Sequence, residues 1–396
     1  VSYEFYEDED FNFRAQLTLG GVAFGLGDVG EILKCLQGIP AGDNRAWARE
    51  FLGLAERVEA IGDSCVKGSF PISAGEAYLR AASYYASAME ALQAFADVDP
   101  VLAAFHSHRR CWDAFAALHQ PALAQVRIPC GDLELPGYWL SVDGTPRPTL
   151  ILINGSDGAV SSMWGEMQAA LARGYNSLVF DGPGQQSMLF DANVPFRPDW
   201  ESVLGPVLDF VLLRSDVAAD KLMLYAWSQG GYWAARALAF ERRIAAAVLD
   251  PGVVDVATSW LGHFPPEMIQ LLDNGEAEKF DEYMGMALQS PELQQTWAFR
   301  SRPYGLTSPF EVLRAMREYN VSAVAHQITT PLFICDPEGE QFWPGQSKRL
   351  ADLVSGPVAL QPFTAAEGAD FHCEPAARTL LHQRMFDWFA QVLARG

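Results

Sequence analysis

The sequence predicts an α/β fold: a mostly parallel, doubly wound sheet that follows a helical domain and is interrupted by a helical insertion. Three observations carry this. From about Ala124 onward, short continuous apolar runs alternate with helical patterns, as expected of strands buried on both faces. Before about Gln120 the texture is Ala-rich, with apolar residues spaced by three and four. Between Val254 and Thr330 there is no strand signal, and that stretch is too long for a connecting loop. The expected organisation is a helical domain over 1–122, a sheet core over 123–254 and 330–396, and a lid-like helical insertion over 255–329.

With 396 residues the chain can build a large core and a second module. It is 49% hydrophobic and 19% charged, a globular balance. The net charge of −21 argues against a nucleic-acid surface and against anionic membranes, and an anionic substrate would need a local basic pocket. Cys35, Cys65, Cys111, Cys130, Cys335 and Cys373 form no CxxC pair, so neither a zinc site nor a small disulfide scaffold is expected. Reduced thiols in a cytoplasmic protein fit best, with no cofactor and no metal called for. The acidic stretch Val1–Asp10 lacks a basic n-region and an apolar h-region, so it does not read as a signal peptide. No apolar run is long enough to span a bilayer.

Taken in order, Gly75–Tyr85 carries a helical repeat, and Ser73 with Glu76 has the spacing of a capping box. Trp112, Phe115 and Leu118 continue the helical spacing. Short strands around turns follow at 125–130 and 135–140. Buried strands are expected at 149–153, 177–180, 221–225, 244–249, 331–335 and 358–363, with helices between them such as Ser161–Arg173. In the insertion, 266–272 and 310–319 read as helices. They are expected over the carboxyl ends of the strands, where such sheets bind ligands. The substrate is then a small molecule, and the helical N-terminal region is where a homodimer surface could form.

The chemistry concentrates at Leu222–Gly231, where an apolar run ends in a tight turn with Ser228 at its apex and a helical segment after it. This is the form of a nucleophile elbow, whose strained backbone lifts a serine hydroxyl clear of the sheet. Strand and helix nearly touch there, so flanking residues must be small, as Ala226, Gly230 and Gly231 are. Ala226 departs mildly from the G-x-S-x-G pattern. A serine nucleophile needs a base, and the base an orienting acid, which follow the elbow in the order acid, then histidine. Of the histidines after Ser228, His263 and His326 lie in or beside the insertion, and His382 lies inside the last helical pattern. His372, between the last strand and the last helix, is the one whose loop can fold back over the elbow. The acid should follow the strand that ends at Cys335. Glu340 is preferred there for its offset to Pro344, Asp336 is the alternative, and Asp250 is an outsider.

A developing oxyanion needs fixed donors. The amide of Gln229 should supply one and that of Ser156, in Asn154–Gly158, the other. Asp157 either acts on substrate at the pocket mouth or caps the next helix. The Phe180–Ser187 segment lacks the lysine of a phosphate loop and reads as a turn shaping the pocket floor. Trp164, Trp227, Trp233, Phe342, Trp343 and Phe371 could meet an aromatic or polyene substrate, although most are expected to pack.

Phe180-Asp181-Gly182-Pro183-Gly184-Gln185, the elbow, the segment Glu340–Gln346 and the loop Gly368–Cys373 together resemble the α/β-hydrolases with an N-terminal helical domain. That group contains 2,6-dihydroxypseudooxynicotine hydrolase and the fungal pigment hydrolases that shorten polyketide chains. The resemblance covers most of the chain, including the helical stretch Ser73–Tyr85. It implies the α/β-hydrolase fold, a triad of Ser228, an acid and His372, and cleavage of a carbon–carbon bond beside a ketone, or of an ester, in an aromatic or polyketide-like substrate of secondary metabolism. Where family members commonly carry aspartate this chain has Glu340, which keeps Asp336 in play. A lyase on the same scaffold, eliminating a carboxylate such as acetate with His372 as base, is the alternative.

Overall fold

A computed structural model describes residues 3–394, so Val1 and Ser2 of the acidic N-terminal stretch lie outside the described residues. Five helices come first: α1 (Glu9–Gly20), α2 (Val29–Leu36), α3 (Asn44–Lys67), α4 (Pro71–Leu92) and α5 (Asp99–Leu118). The Asp8 side chain starts α1 by accepting the Phe11 amide at 2.9 Å. The capping box expected at Ser73 and Glu76 does not form. Pro71, whose fixed φ suits the first helical position, starts α4 earlier, and Phe70 at the N-cap makes no side-chain cap bond.

The sheet then builds from β1 (Leu123–Cys130), β2 (Leu133–Leu140) and β3 (Arg147–Ile153), with α6 (Trp164–Leu171) before β4 (Asn176–Phe180). Next come α7 (Gln186–Phe190), α8 (Glu201–Leu212), β5 (Val217–Trp227), α9 (Gly230–Leu238) and β6 (Ala246–Asp250). Five helices form the insertion: α10 (Thr258–Leu261), α11 (Pro266–Asn274), α12 (Ala277–Ala287), α13 (Pro291–Ser301) and α14 (Pro309–Met316). The chain closes with β7 (Leu332–Pro337), α15 (Gln346–Leu353), β8 (Val358–Phe363) and α16 (Arg378–Leu393).

The eight strands lie in the order β1-β2-β4-β3-β5-β6-β7-β8. β1, β2 and β4 pair antiparallel, and every pair from β4 to β8 is parallel. Successive residues of the parallel strands feed opposite cores. Leu150, Leu152, Tyr225 and Val248 face a core shared with the N-terminal helices, α6 and α16. Ile151, Ile153, Leu224 and Leu249 face one shared with α8, α9 and the insertion. This alternation is why the runs are apolar throughout. β5 starts at Val217, ahead of the apolar run, because Val217 pairs with Arg147 before the register shifts and Leu222 takes up Thr149.

The two ends of the insertion are stitched together at its base. Asp255 and Asn320 form an antiparallel bridge, and the Val321 amide donates to the Val254 carbonyl at 2.8 Å. The helices between are therefore held over the carboxyl ends of β5 and β6. Among the described residues, no helix is long and apolar enough to cross a membrane.

Candidate active site

Ser228 occupies the two-residue turn between β5 and α9 with φ of 58°, a left-handed conformation that a non-glycine residue holds only under constraint. The constraint is crowding. A Cβ on Gly230 would lie 2.9 Å from the Ile153 carbonyl oxygen, and one on Gly231 2.1 Å from that of Pro251. The Ser228 amide donates to the Asp250 carbonyl at 2.6 Å, tying the turn to the end of β6.

The loop after β8 brings His372 onto this turn. Its Nε2 lies 2.8 Å from Ser228 Oγ, and its Nδ1 lies 3.0 and 2.9 Å from the two oxygens of Glu340. Nδ1 carrying its proton toward Glu340 leaves Nε2 to accept the serine proton. The His372 amide donates to Gln341 Oε1 at 3.0 Å, which fixes the loop against the segment that carries Glu340. The Glu340 side chain is buried, and burial raises its pKa. The charge of His372, the hydrogen bond to it and the amides of Trp343 and Phe342 outweigh that and hold the carboxyl below its ordinary 4.5. Asp336 is elsewhere: it sits on β7 and pairs with Lys348 at 3.5 Å.

Across Ser228 runs the loop Asn154–Gly158. Gly155 must be glycine, since a Cβ there would meet Ser228 Cβ at 2.9 Å. The Gly155 amide is taken by Asn154 Oδ1 at 2.8 Å. Gln185, from the Phe180–Gln185 turn, donates through Nε2 to the carbonyls of Asn154 at 2.8 Å and Gly155 at 2.9 Å. Gln186 donates to the Asp157 carbonyl at 2.8 Å. The carbonyls are thus turned toward the glutamines. Among the described residues no acceptor of the chain takes the amides of Ser156 and Gln229. The turn itself is anchored to the N-terminal helices by the ion pair of Asp181 with Arg109. Asp157 caps no helix. Its side chain accepts from Ser156 Oγ at 3.1 Å and faces Arg300 of α13 at 3.8 Å.

A cavity of about 1430 Å³ opens over Ser228, and Ser156, Asp157, Trp227, Gln229 and His372 line it. Phe342 and Trp343 also line it, whereas Trp164 and Trp233 are fully buried in the cores. Sequence reasoning missed the wall supplied by α1. Phe13 packs 6.1 Å from both the His372 and Phe342 rings, and Arg14 pairs with Glu90 of α4 at 3.1 Å. It also missed Arg378, which lies over the Trp227 ring at 4.2 Å, is paired with Glu166, and whose pKa burial lowers to about 9. No local signal marks these residues, because each is an ordinary position on a helix until tertiary packing turns it inward.

A model of the alpha/beta hydrolase family matches residues 150–392, the whole sheet from β3 onward. The chain belongs to that family. Within this alpha/beta hydrolase setting, the hydrolase acrC of Aspergillus aculeatus is 28% identical over 416 residues, covering 98% of this chain and 97% of its own. The 20-hydroxy-prefusarin hydrolase FUS2 of Gibberella moniliformis is 27% identical over 413 residues, covering 99% and 98%. Among solved structures, 2,6-dihydroxy-pseudo-oxynicotine hydrolase shares the fold with a TM-score of 0.74 at 19% identity, over 96% of each chain. The chain is accordingly an enzyme of the hydrolase class, and its helical N-terminal region belongs to the likeness.

Proposed function

We propose that this alpha/beta hydrolase is a serine hydrolase that cleaves a carbon–carbon bond beside a ketone, or an ester, in a large apolar, aromatic or polyketide-like small molecule. The reading rests on one observation above others: the unbroken chain of contacts from Ser228 Oγ through both ring nitrogens of His372 to Glu340. Ser228 attacks the carbonyl while His372 Nε2 takes its proton, and Glu340 steadies the imidazolium. The amides of Ser156 and Gln229 hold the oxyanion. Collapse expels an enolate, in the retro-Claisen case, or an alkoxide, and His372 returns the proton to it. Water, deprotonated by His372, then releases the acyl group from Ser228.

The cavity supports the substrate class. At about 1430 Å³ it exceeds the ~300–1,000 Å³ of ordinary ligand pockets, so a bulky or extended molecule suits it. Trp260, Phe264, Met268 and Leu271 of the insertion make part of its wall apolar, while Arg14, Glu90, Asp157 and Arg300 make another part polar. An apolar body bearing oxygen functions matches both. The name of the Gibberella relative, with its 20-hydroxy-prefusarin substrate, is compatible with such a molecule and with a place in secondary metabolism.

A fluorophosphonate should label the wild-type chain and fail to label Ser228→Ala, and a screen of acyl esters and β-diketones should find turnover that the variant lacks. Full turnover by Ser228→Ala would overturn the covalent mechanism. With a carboxylate-releasing substrate in H₂18O, acyl hydrolysis puts label in the released acid. Its absence would replace this reading with elimination, with His372 as the base.

A further inference from the structure

Beneath the Ser228 turn lies a second group of carboxyls that the mechanism above does not use. Asp250 ends β6, Glu374 stands two residues after His372, and Cys335 comes from β7; their side-chain O and S atoms lie within 4.8 Å of one another. Both carboxyls are fully buried. The Tyr225 hydroxyl donates to Asp250 Oδ2 at 2.7 Å. Asp250 Oδ1 and both oxygens of Glu374 receive no hydrogen bond from any described residue. The nearby cations are committed elsewhere, His372 to Glu340 and Arg384 to Glu367. Two carboxylates within 4.8 Å of each other, in a buried site and with no cation paired to either, cannot both be ionised. One proton between them supplies the missing hydrogen bond and removes one of the two charges.

The place of the pair gives it a task. The Asp250 carbonyl accepts the Ser228 amide at 2.6 Å and the Cys373 thiol at 3.2 Å. Cys373 and Glu374 are consecutive non-glycine residues at φ of 59° and 43°, a conformation kept only where surrounding contacts impose it. We propose that Asp250 and Glu374 share one proton and act as positioning residues, latching the His372 loop to the underside of the Ser228 turn. This rests on the assignment of His372 as the base.

The pH consequence has a definite sign. Burial is the largest influence on both groups; it lifts Asp250 to about 6 and Glu374 well above its ordinary 4.5. Above the ordinary carboxyl range the folded chain therefore holds a proton that the unfolded chain has lost, so the pair's contribution to stability falls as pH rises through its raised values. The groups that face the pair are His372 and Glu340 from the loops, Tyr225 from β5, Cys335 from β7, Cys373 beside it and Arg384 from α16. Loss of the shared proton sets two like charges against each other under His372.

The test uses the full chain and the variants Glu374→Gln and Glu374→Ala. In Glu374→Gln the new amide donates to ionised Asp250, which keeps the charge and the hydrogen bond of the proton-sharing pair but leaves no proton to lose. The rate of fluorophosphonate labelling, ester turnover and the melting temperature are followed from about pH 5 to 10. Glu374→Gln should stay within ~3-fold of wild type near neutrality and lose the alkaline decline in both rate and melting temperature. Glu374→Ala, if folded by circular dichroism, should lose ~10–100-fold in kcat with little change in KM. Identical alkaline limbs in wild type and Glu374→Gln would overturn the proposal. So would one equivalent of zinc in the purified chain, because the trio would then be a metal site. If wild type is never labelled, the serine mechanism fails, while the melting temperatures still decide whether a proton is shared.

Discussion

Ser228 lies between two loops that are held by different chemistry. On one side, Asn154–Gly158 is fixed by neutral amides: Asn154, Gln185 and Gln186 bond its backbone at 2.8–2.9 Å. On the other, the loop of His372 is fixed largely by groups that titrate, Glu340 at Nδ1 and the Asp250–Glu374 pair below. Amides do not change charge with pH, so the bonds made directly to Asn154–Gly158 keep their character over the whole range in which the chain is folded. The histidine side must lose its geometry at both extremes. Acid protonates Glu340, and alkali strips the proton from the buried pair. The contrast locates pH sensitivity in one half of the site.

The largest effect tests the centre that both loops serve. Ser228→Ala and His372→Ala should each lower kcat by ~10⁴–10⁶-fold, as removal of a member of a hydrolytic triad does. Next comes the ionisable arm. Glu340→Gln keeps the shape but loses the charge and favours the wrong imidazole tautomer, so kcat should fall ~10³–10⁴-fold. Asp336→Asn should leave kcat within about twofold, since that carboxyl faces Lys348. Equal losses at the two positions would break the assignment of Glu340. The pH dependence has a sign here as well. Glu340 is held below its ordinary 4.5, so its contribution to stability is complete above that value and is lost as pH falls through the lower, folded-state value. The melting temperature of wild type should therefore fall more steeply than that of Glu340→Gln as the pH is lowered below that ordinary value. Parallel acid limbs would show that Glu340 does not stabilise the fold as a carboxylate.

The neutral arm sharpens the contrast. Gln185→Leu removes two bonds to the backbone of the 154–158 loop, and kcat should fall ~10–100-fold with KM little changed. The decisive readout is the shape of the pH–rate profile, which should be that of wild type at a lower height. A shifted limb would mean that the two arms are not separable in this way.

Legibility in the sequence follows the same division. Ser228 could be found because strand, turn and helix are contiguous and the steric demand for small neighbours is written beside it, in Ala226, Gly230 and Gly231. Gln185 could be placed on a turn after a strand, but none of Phe180–Ser187 lines the cavity, and the grip of Gln185 on Asn154 and Gly155 depends on β3 and β4 lying side by side. Glu340 and Asp336 could be ranked only by their places in the loop and by side-chain length. What separates them is side-chain direction: β7 turns Asp336 to Lys348, while the amides of Phe342 and Trp343 receive Glu340. Asp250 and Glu374 were invisible as a pair, because they lie far apart in the chain and only the packing of β6, β7 and β8, with the loop after β8 folded back onto the end of β6, closes that distance. The capping box at Ser73 failed for a local reason, Pro71 having already set the start of α4.

The smallest expected effect concerns the edge of the neutral arm, where the insertion meets it. Arg300 of α13 reaches Asp157 at 3.8 Å, and its guanidinium lies 5.4 Å from the Phe342 ring, which in turn packs 4.7 Å from His372. One side chain thus touches the surroundings of both arms from above. Both partners of the ion pair are about one-third exposed, so its own worth is ~0–1 kcal/mol and Arg300→Met should hardly move the melting temperature. Two outcomes in kinetics then discriminate its role. If Arg300 only clasps the insertion to the loop, KM should rise by at most ~5-fold for every substrate, and added salt should produce the same rise in wild type. If it meets an oxygen function of the substrate, the rise should be confined to substrates that carry one, and plain alkyl esters should be spared. Asp157→Asn separates the cases again: a clasp weakens with either partner removed, whereas a substrate contact made by Arg300 gains from losing its competitor.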